Sequence, residues 1–389
     1  MSHNRHLAAA LKSTMRSWPL CAVAFALATL GASAAAAGAL GPPRSTGPPA
    51  ADAQAPPLPA LTIRQVVGQH MIYGYSGPRA PAGLDLRIRR GEAAGVILFT
   101  RNIASRARLR AEVARLQALP RPAGLRTPLL VMIDQEGGLV KRLSGAPRRS
   151  PAQIGRTGSA SVARAEGTAT AANLRGVGVN VDLAPVLDVG RRGSFQDRLG
   201  RSYGGDPALV SRMGTAFAGG LRAGRVAATA KHFPGIGVPV ENEDLVSSRI
   251  GLARDALRAI DEAPFAAAVR QRIDLVMLST AIYPAFDSLP ALYSRRLATD
   301  ELRGRLGFGG VAVTDDLETA SASHPGSPAR RARLATRAGA DLLLFAQSYA
   351  AGARAMEALV RDAGAGRVST AELRRSTARV LALRQSLAG

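Results

Sequence analysis

The chain has 389 residues, 47% of them hydrophobic and 20% charged, enough apolar material for one large core or two ordinary domains. Its formal charge of +23 raises nucleic acid as a partner, but aromatic residues make up only 4% and the arginines are scattered. No basic run alternates with stacking residues, so the charge reads as a cationic surface, attracted non-specifically to an anionic envelope, with no nucleic-acid site.

Residues 1–36 carry a basic start (Arg5, Lys12, Arg16), an apolar run and an Ala-Ser-Ala stretch at Ala32–Ala34. This is the pattern of a secretory signal, with an uncleaved membrane anchor as the competing reading. The single cysteine, Cys21, falls inside this leader, so a mature chain would hold no internal disulfide and no cysteine metal site. Residues 37–60 are rich in Pro and Ala and read as a linker. From 61 to 389, eight apolar runs of strand length recur, at 69–75, 95–99, 129–134, 179–185, 226–233, 275–280, 310–316 and 340–345. Segments of helical spacing separate them, among them Ser105 to Leu119 and Ala208 to Leu221, and helices from Ser348 to Leu387 close the chain. Eight such alternations over this length predict a single α/β domain, a (β/α)8 barrel of TIM type; a doubly wound sheet is the alternative.

Polar residues gather where the runs end. Arg101 and Asn102 follow the second, Asp134 ends the third, Asp188 lies beyond the fourth, Lys231-His232 end the fifth and Asp315-Asp316 the seventh. In a barrel these positions share one rim, and so many charges are costly to bury without a ligand. Only three of the 51 basic residues are lysines (Lys12, Lys141 and Lys231), which singles out Lys231 as a position needing a compact ammonium. Asp315 should project into the barrel mouth, where a carboxylate kept ionised by basic neighbours suits attack on an anomeric carbon. Asp316, pointing the other way, is assigned as the N-cap of a helix from Leu317. The histidines show no metal-ligand spacing, and there is no Gly-x-Ser-x-Gly elbow, Walker loop or dinucleotide fingerprint, so no cofactor or metal is expected.

Seven motifs in order then carry a resemblance: GVILFTRN at Gly95, IDQEGGLVKRL at Ile133, GVNVDLAPVLDV at Gly178, LGRSYGGDP at Leu199, KHFPGIG at Lys231, YPAFD at Tyr283 and GFGGVAVTDDL at Gly307. The chain resembles glycoside hydrolase family three, in particular its single-domain bacterial β-N-acetylhexosaminidases, from about Leu61 to the carboxyl terminus. The resemblance implies that Asp315 is the nucleophile of a retaining mechanism and that Asp134, Arg142, Arg201, Lys231 and His232 bind the terminal sugar. It implies a monomer acting on an amino-sugar glycan, peptidoglycan fragments included. One part of the family pattern is missing. Typical members place histidine where this chain has Ile236, and Asp-Ser-His where it has Asn242-Glu243-Asp244, so the His/Asp acid/base dyad is not preserved. A carboxyl group raised by a like-charged neighbour can protonate a leaving oxygen, which makes Asp244 the first candidate and Glu243 the alternative, with Glu241 beside them. A sugar-binding homologue that has lost turnover is the competing function.

Overall fold

The computed structural model describes residues 60–239, 241–242 and 245–388. The leader, nearly all of the linker, Glu243 and Asp244 lie outside the described residues.

All eight predicted strands form. In chain order the strands are β1 (Met71–Tyr73), β2 (Gly95–Leu98), β3 (Leu130–Ile133), β4 (Gln135–Gly137), β5 (Val140–Lys141), β6 (Val181–Asp182), β7 (Ala227–Phe233), β8 (Leu275–Leu278), β9 (Val311–Thr314) and β10 (Leu343–Phe345). The main sheet runs β10-β1-β2-β3-β6-β7-β8-β9 with parallel pairing throughout, and the Val313–Leu342 bridge joins its two ends into a closed ring. β4 and β5 form a separate antiparallel hairpin directly beyond β3.

Each barrel strand is followed by a helix, from Ala82–Arg90 after β1 to Tyr349–Gly364 after β10. Several start on a hydroxyl or carboxylate cap: Ser105 accepts from Arg108 N, Ser159 from Val162 N, Asp206 from Ala208 N and Leu209 N, and Ser348 from Ala351 N. Strands sandwiched between a barrel interior and a helix layer are apolar on both faces, and their alternation divides the core in two. Ile97, Met132, Leu183, Met277, Val313 and Leu344 belong to an inner cluster. Their neighbours Val96, Leu98, Val131, Ile133, Val276, Leu278 and Phe345 belong to the outer one, packed with helix residues.

The two ends of the barrel are finished differently. The last helix, Thr370–Ser386, places Val380 and Leu383 against the inner cluster. Its Arg384 is wholly buried and donates to the carbonyls of Leu125, Thr127 and Pro128, which precede β3, and to Gln69, which precedes β1. Burial pushes this guanidinium down to about 9, with repulsion from Arg121 adding to the shift. The helix therefore plugs the amino ends of the strands, and the carboxyl ends stay open. Among the described residues no helix is long and apolar enough to cross a membrane.

Candidate active site

The open end holds a cavity of about 600 Å³, within the range of about 300–1,000 Å³ usual for ligand sites. Its floor is the top of the inner core, Ile97, Leu183, Met277 and Leu344. Asp134, Arg142, Arg201, Lys231, His232 and Asp315, named from the sequence, all line it. Asp244 and Glu243 lie outside the described residues, but Asn242 and Leu245 on either side of them line the same cavity.

Lys231 is the centre of the charged part of the lining. It is 2% exposed, and its Nζ lies 2.7 Å from Asp134 Oδ1 and 2.7 Å from Glu136 Oε1. Arg201 closes on Glu136 with two parallel N–H bonds of 2.9 Å, and Arg142 Nη2 lies 3.5 Å from Asp134. Two carboxylates and three cations thus share one buried site, which satisfies the rule that buried charges be paired. Burial alone would raise both acids, but Lys231 with Arg142 holds Asp134 below the usual carboxylate range, and Arg201 with Lys231 does the same for Glu136. Burial acts to discharge the Lys231 ammonium, and its two carboxylates more than reverse that, raising its pKa. The charges are therefore fixed as drawn at neutral pH.

Glu136 did not stand out in the sequence. The available signal was its spacing two residues after Asp134, which puts both carboxylates on one face if the chain stays extended. Asp182 in β6 was missed as well. It is fully buried, its Oδ1 accepts from Gln135 N at 3.0 Å, and its Oδ2 has no hydrogen-bond partner among the described residues. Burial raises it well above the ordinary carboxylate range against the pull of that one bond and of Lys231.

His232 is oriented from behind. Asp188 accepts from its Nδ1 at 2.8 Å, from its backbone N at 3.1 Å and from Ile236 N at 3.0 Å. One carboxylate thereby holds both ends of the KHFPGI turn. A Cβ on Gly237 would lie 1.8 Å from Val189 O, so this loop can pack onto the Asp188 segment only with glycine at that position. Burial disfavours the imidazolium, but Asp188 and, more weakly, Asp315 outweigh it, and His232 is raised above its ordinary value. Asp188 supports the rim from beneath it and does not line the cavity.

Asp315 ends β9 half-buried, with its backbone N bonded to Leu278 O at 3.0 Å and its Oδ1 accepting from Asp316 N at 2.7 Å. The expected helix N-cap at Asp316 is not formed, and the reason is local. The helix begins later, at Ala320–Ser323, and Thr319 caps it by accepting from Ala322 N. Asp316 instead accepts from Glu318 N, Ala346 N and Gln347 Nε2, tying the loop after β9 to the loop after β10. Burial lifts its carboxyl to about 6. Asn102 is likewise a loop clamp, spending its amide on Tyr75 O, Gly77 O and Phe99 N. Arg101 does line the cavity, with its guanidinium 4.5 Å from the Phe99 ring and Arg142 at 5.5 Å from that ring.

A closed parallel (β/α)8 barrel with a charged cavity at the carboxyl ends of its strands is the layout of a barrel enzyme. The comparisons give the family. Residues 81–383 match the glycosyl hydrolase family 3 N terminal domain. A relative from Arthroderma benhamiae, named "Uncharacterized secreted glycosyl hydrolase", is 38% identical over 343 residues, 86% of this chain and 97% of its own length. A "Beta-hexosaminidase" from Alkalilimnicola ehrlichii is 34% identical over 71% of this chain and 80% of its own. Among solved structures, a family 3 β-N-acetylglucosaminidase from Paenibacillus sp. superposes with a TM-score of 0.80 at 36% identity, over 84% of this chain and 63% of that larger one. A β-N-acetylhexosaminidase from Beutenbergia cavernae superposes at 0.75 and 33% identity, covering 83% of this chain and 98% of that one. The chain belongs to glycosyl hydrolase family 3, and it is a glycoside hydrolase of the β-N-acetylhexosaminidase-like kind.

Proposed function

We propose that the protein is an exported, retaining β-glycosidase that removes terminal β-linked N-acetylhexosamine, GlcNAc of cell-wall glycans being the preferred sugar. The observation that carries this reading is the position of Asp315: a half-buried carboxylate at the tip of β9 lining one cavity with Lys231 and His232 at the tip of β7. In the first step Asp315 attacks the anomeric carbon, the bond to the leaving oxygen breaks, and that oxygen takes a proton from the enzyme. In the second, water, deprotonated by the acid/base group that protonated the leaving oxygen, displaces Asp315 and releases the sugar. Asp134, Arg142, Arg201, Lys231 and His232 would hold the sugar hydroxyls with charged hydrogen bonds, which are shorter and stronger than neutral ones.

Asp244 is the first candidate for the acid/base and Glu243 the second. Asn242 and Leu245 at the cavity support a loop that serves the site, and Glu241 next to them is exposed. Export is supported by the leader pattern in residues 1–36 and by the name of the Arthroderma relative, a secreted glycosyl hydrolase, with 37–60 as linker and 61–389 as catalytic domain. The test is turnover of an aryl β-N-acetylglucosaminide. Asp315→Asn should lower kcat by at least about 10³-fold, and equal rates would remove Asp315 from the mechanism.

A sugar-binding homologue without turnover has one observation in its favour. Ile236 stands where the family carries a histidine, and its side chain is buried and cannot move a proton. A leaving group that needs no protonation separates the two readings. Release of dinitrophenolate by the wild type but not by Asp315→Asn favours the enzyme, and tight sugar binding with no release favours the binder.

A further inference from the structure

The two sides of the cavity mouth differ in chemistry. Val140 follows β3, Phe195 and Leu199 follow β6, and Leu245 follows β7; all four line the cavity. β3, β6 and β7 are consecutive in the barrel, so these side chains form one sector of the rim. β10 stands four strands from β6 around the ring of eight, directly across it. The loops after β9 and β10 contribute Glu318 and Gln347 there, a polar sector.

The apolar sector also extends past the cavity edge into solvent. Six large hydrophobic side chains are exposed among the described residues, and three of them lie on the loops of this sector: Leu139 at 73%, Leu245 at 70% and Val246 at 46%. Scattered singly, such residues mean little; a group beside a ligand cavity marks a contact surface. Of the other three, Leu86 and Ile260 sit on helices and Leu289 on the loop after β8, and none of them lines the cavity. The charged cluster, which takes Arg142 and Arg201 from the loops of this same sector, accounts for the hydroxyl-bearing part of a substrate and leaves the wall of Val140, Phe195, Leu199 and Leu245 without a role.

We propose that this wall, contributed by the loops after β3, β6 and β7, binds the leaving-group side of the substrate through an apolar surface, so that the protein selects glycosides whose aglycone presents an apolar face. The proposal rests on the glycosidase reading for which side of the cavity is which. An alkyl chain, an aromatic ring or the C–H face of a second pyranose shares the required chemistry.

Binding measured on the full-length Asp315→Asn protein tests it without turnover. Dissociation constants for methyl, butyl and octyl β-N-acetylglucosaminides, kept below their micelle concentrations, are compared with the same series of glucosides and with methyl β-chitobioside. Affinity should rise about twofold to fourfold per methylene laid on the wall, the upper figure being that of full burial. The gain should appear in the preferred sugar series, and Leu139→Ser with Leu245→Ser should flatten it. Leu86→Ser, an exposed change on the helix Ala82–Arg90, should leave it intact. A chitobioside gain without an alkyl gain, lost in the same double variant, identifies the second sugar as the occupant. Equal affinities from methyl to octyl and for the disaccharide, or gains that survive the double variant, overturn the proposal. Turnover of the methyl glycoside by the wild type reports separately on the glycosidase reading, so a chain-length gain without any turnover would sink catalysis and keep the wall.

Discussion

The two ends of the barrel carry the same kind of chemistry and use it in opposite ways. At the amino end Asp341, fully buried before β10, accepts from Ala312 N, Ser376 Oγ, Arg303 and Arg379, so its oxygens are committed within the protein. At the carboxyl end Asp134, Glu136 and Lys231 are paired as tightly, but the cluster lines a cavity of about 600 Å³. The histidines repeat the contrast. His70 at the closed end is fully buried, with Nε2 3.2 Å from Leu373 O, and burial lowers it to about 4 even though Asp341 pulls the other way. At the open end His232 has a carboxylate in direct contact and is raised. A buried ion cluster by itself therefore says little about function; what separates the two is the space each borders, about 200 Å³ lined by His70, Arg303, Ser376 and Arg379 at the closed end against about 600 Å³ at the open one.

Substitutions can break this comparison. The largest expected effect on folding is at the closed end, where Asp341→Asn strands two arginines and should cost about 3–5 kcal/mol in denaturant unfolding, with kcat/KM unchanged per folded molecule. At the open end, Lys231→Met should lower kcat/KM by about 10²–10³-fold. Its loss of stability should be smaller than that of Asp341→Asn, because Arg142 and Arg201 still face the two carboxylates. If both variants lost activity and stability in the same proportion, the division of labour between the ends would fail.

The most gradual effects are in pH. His70 is lowered in the folded state, so between its unfolded value of about 6.5 and its folded value of about 4 the unfolded chain binds the proton and the folded chain does not. Stability should fall as pH drops through that window, with a slope approaching about 1.4 kcal/mol per pH unit that His70→Gln removes. His232 is raised, so its contribution is fully present below about pH 6.5 and is lost as pH rises through its folded value. Imidazole NMR titrations of the two should move in opposite directions from the free value.

Much of the architecture was legible along the chain. Eight apolar runs separated by helical spacing led to the barrel, and Asp134, Lys231 and Asp315 could be placed on one rim because each ends such a run. The pairing of those groups was not legible. Glu136 meets Arg201 across 65 positions, and nothing local in either stretch names the other. Asp316 was misread because a carboxylate two residues before a backbone N–H looks the same whether a helix or a turn follows, and Thr319 took the cap. The last helix could be foreseen as a helix, but not as the plug of the barrel, since its Val380 and Leu383 pattern suits any apolar surface.

Periodicity and motif spacing, which act over a few residues, thus determined by themselves the strands, the helices, the family and the candidate groups of this protein. The tertiary structure alone decided which charges neutralise one another, which end of the barrel is sealed and which carries an apolar wall. Those outcomes depend on Coulomb energies, desolvation and packing between segments tens to hundreds of residues apart, quantities that exist only once the ring has closed.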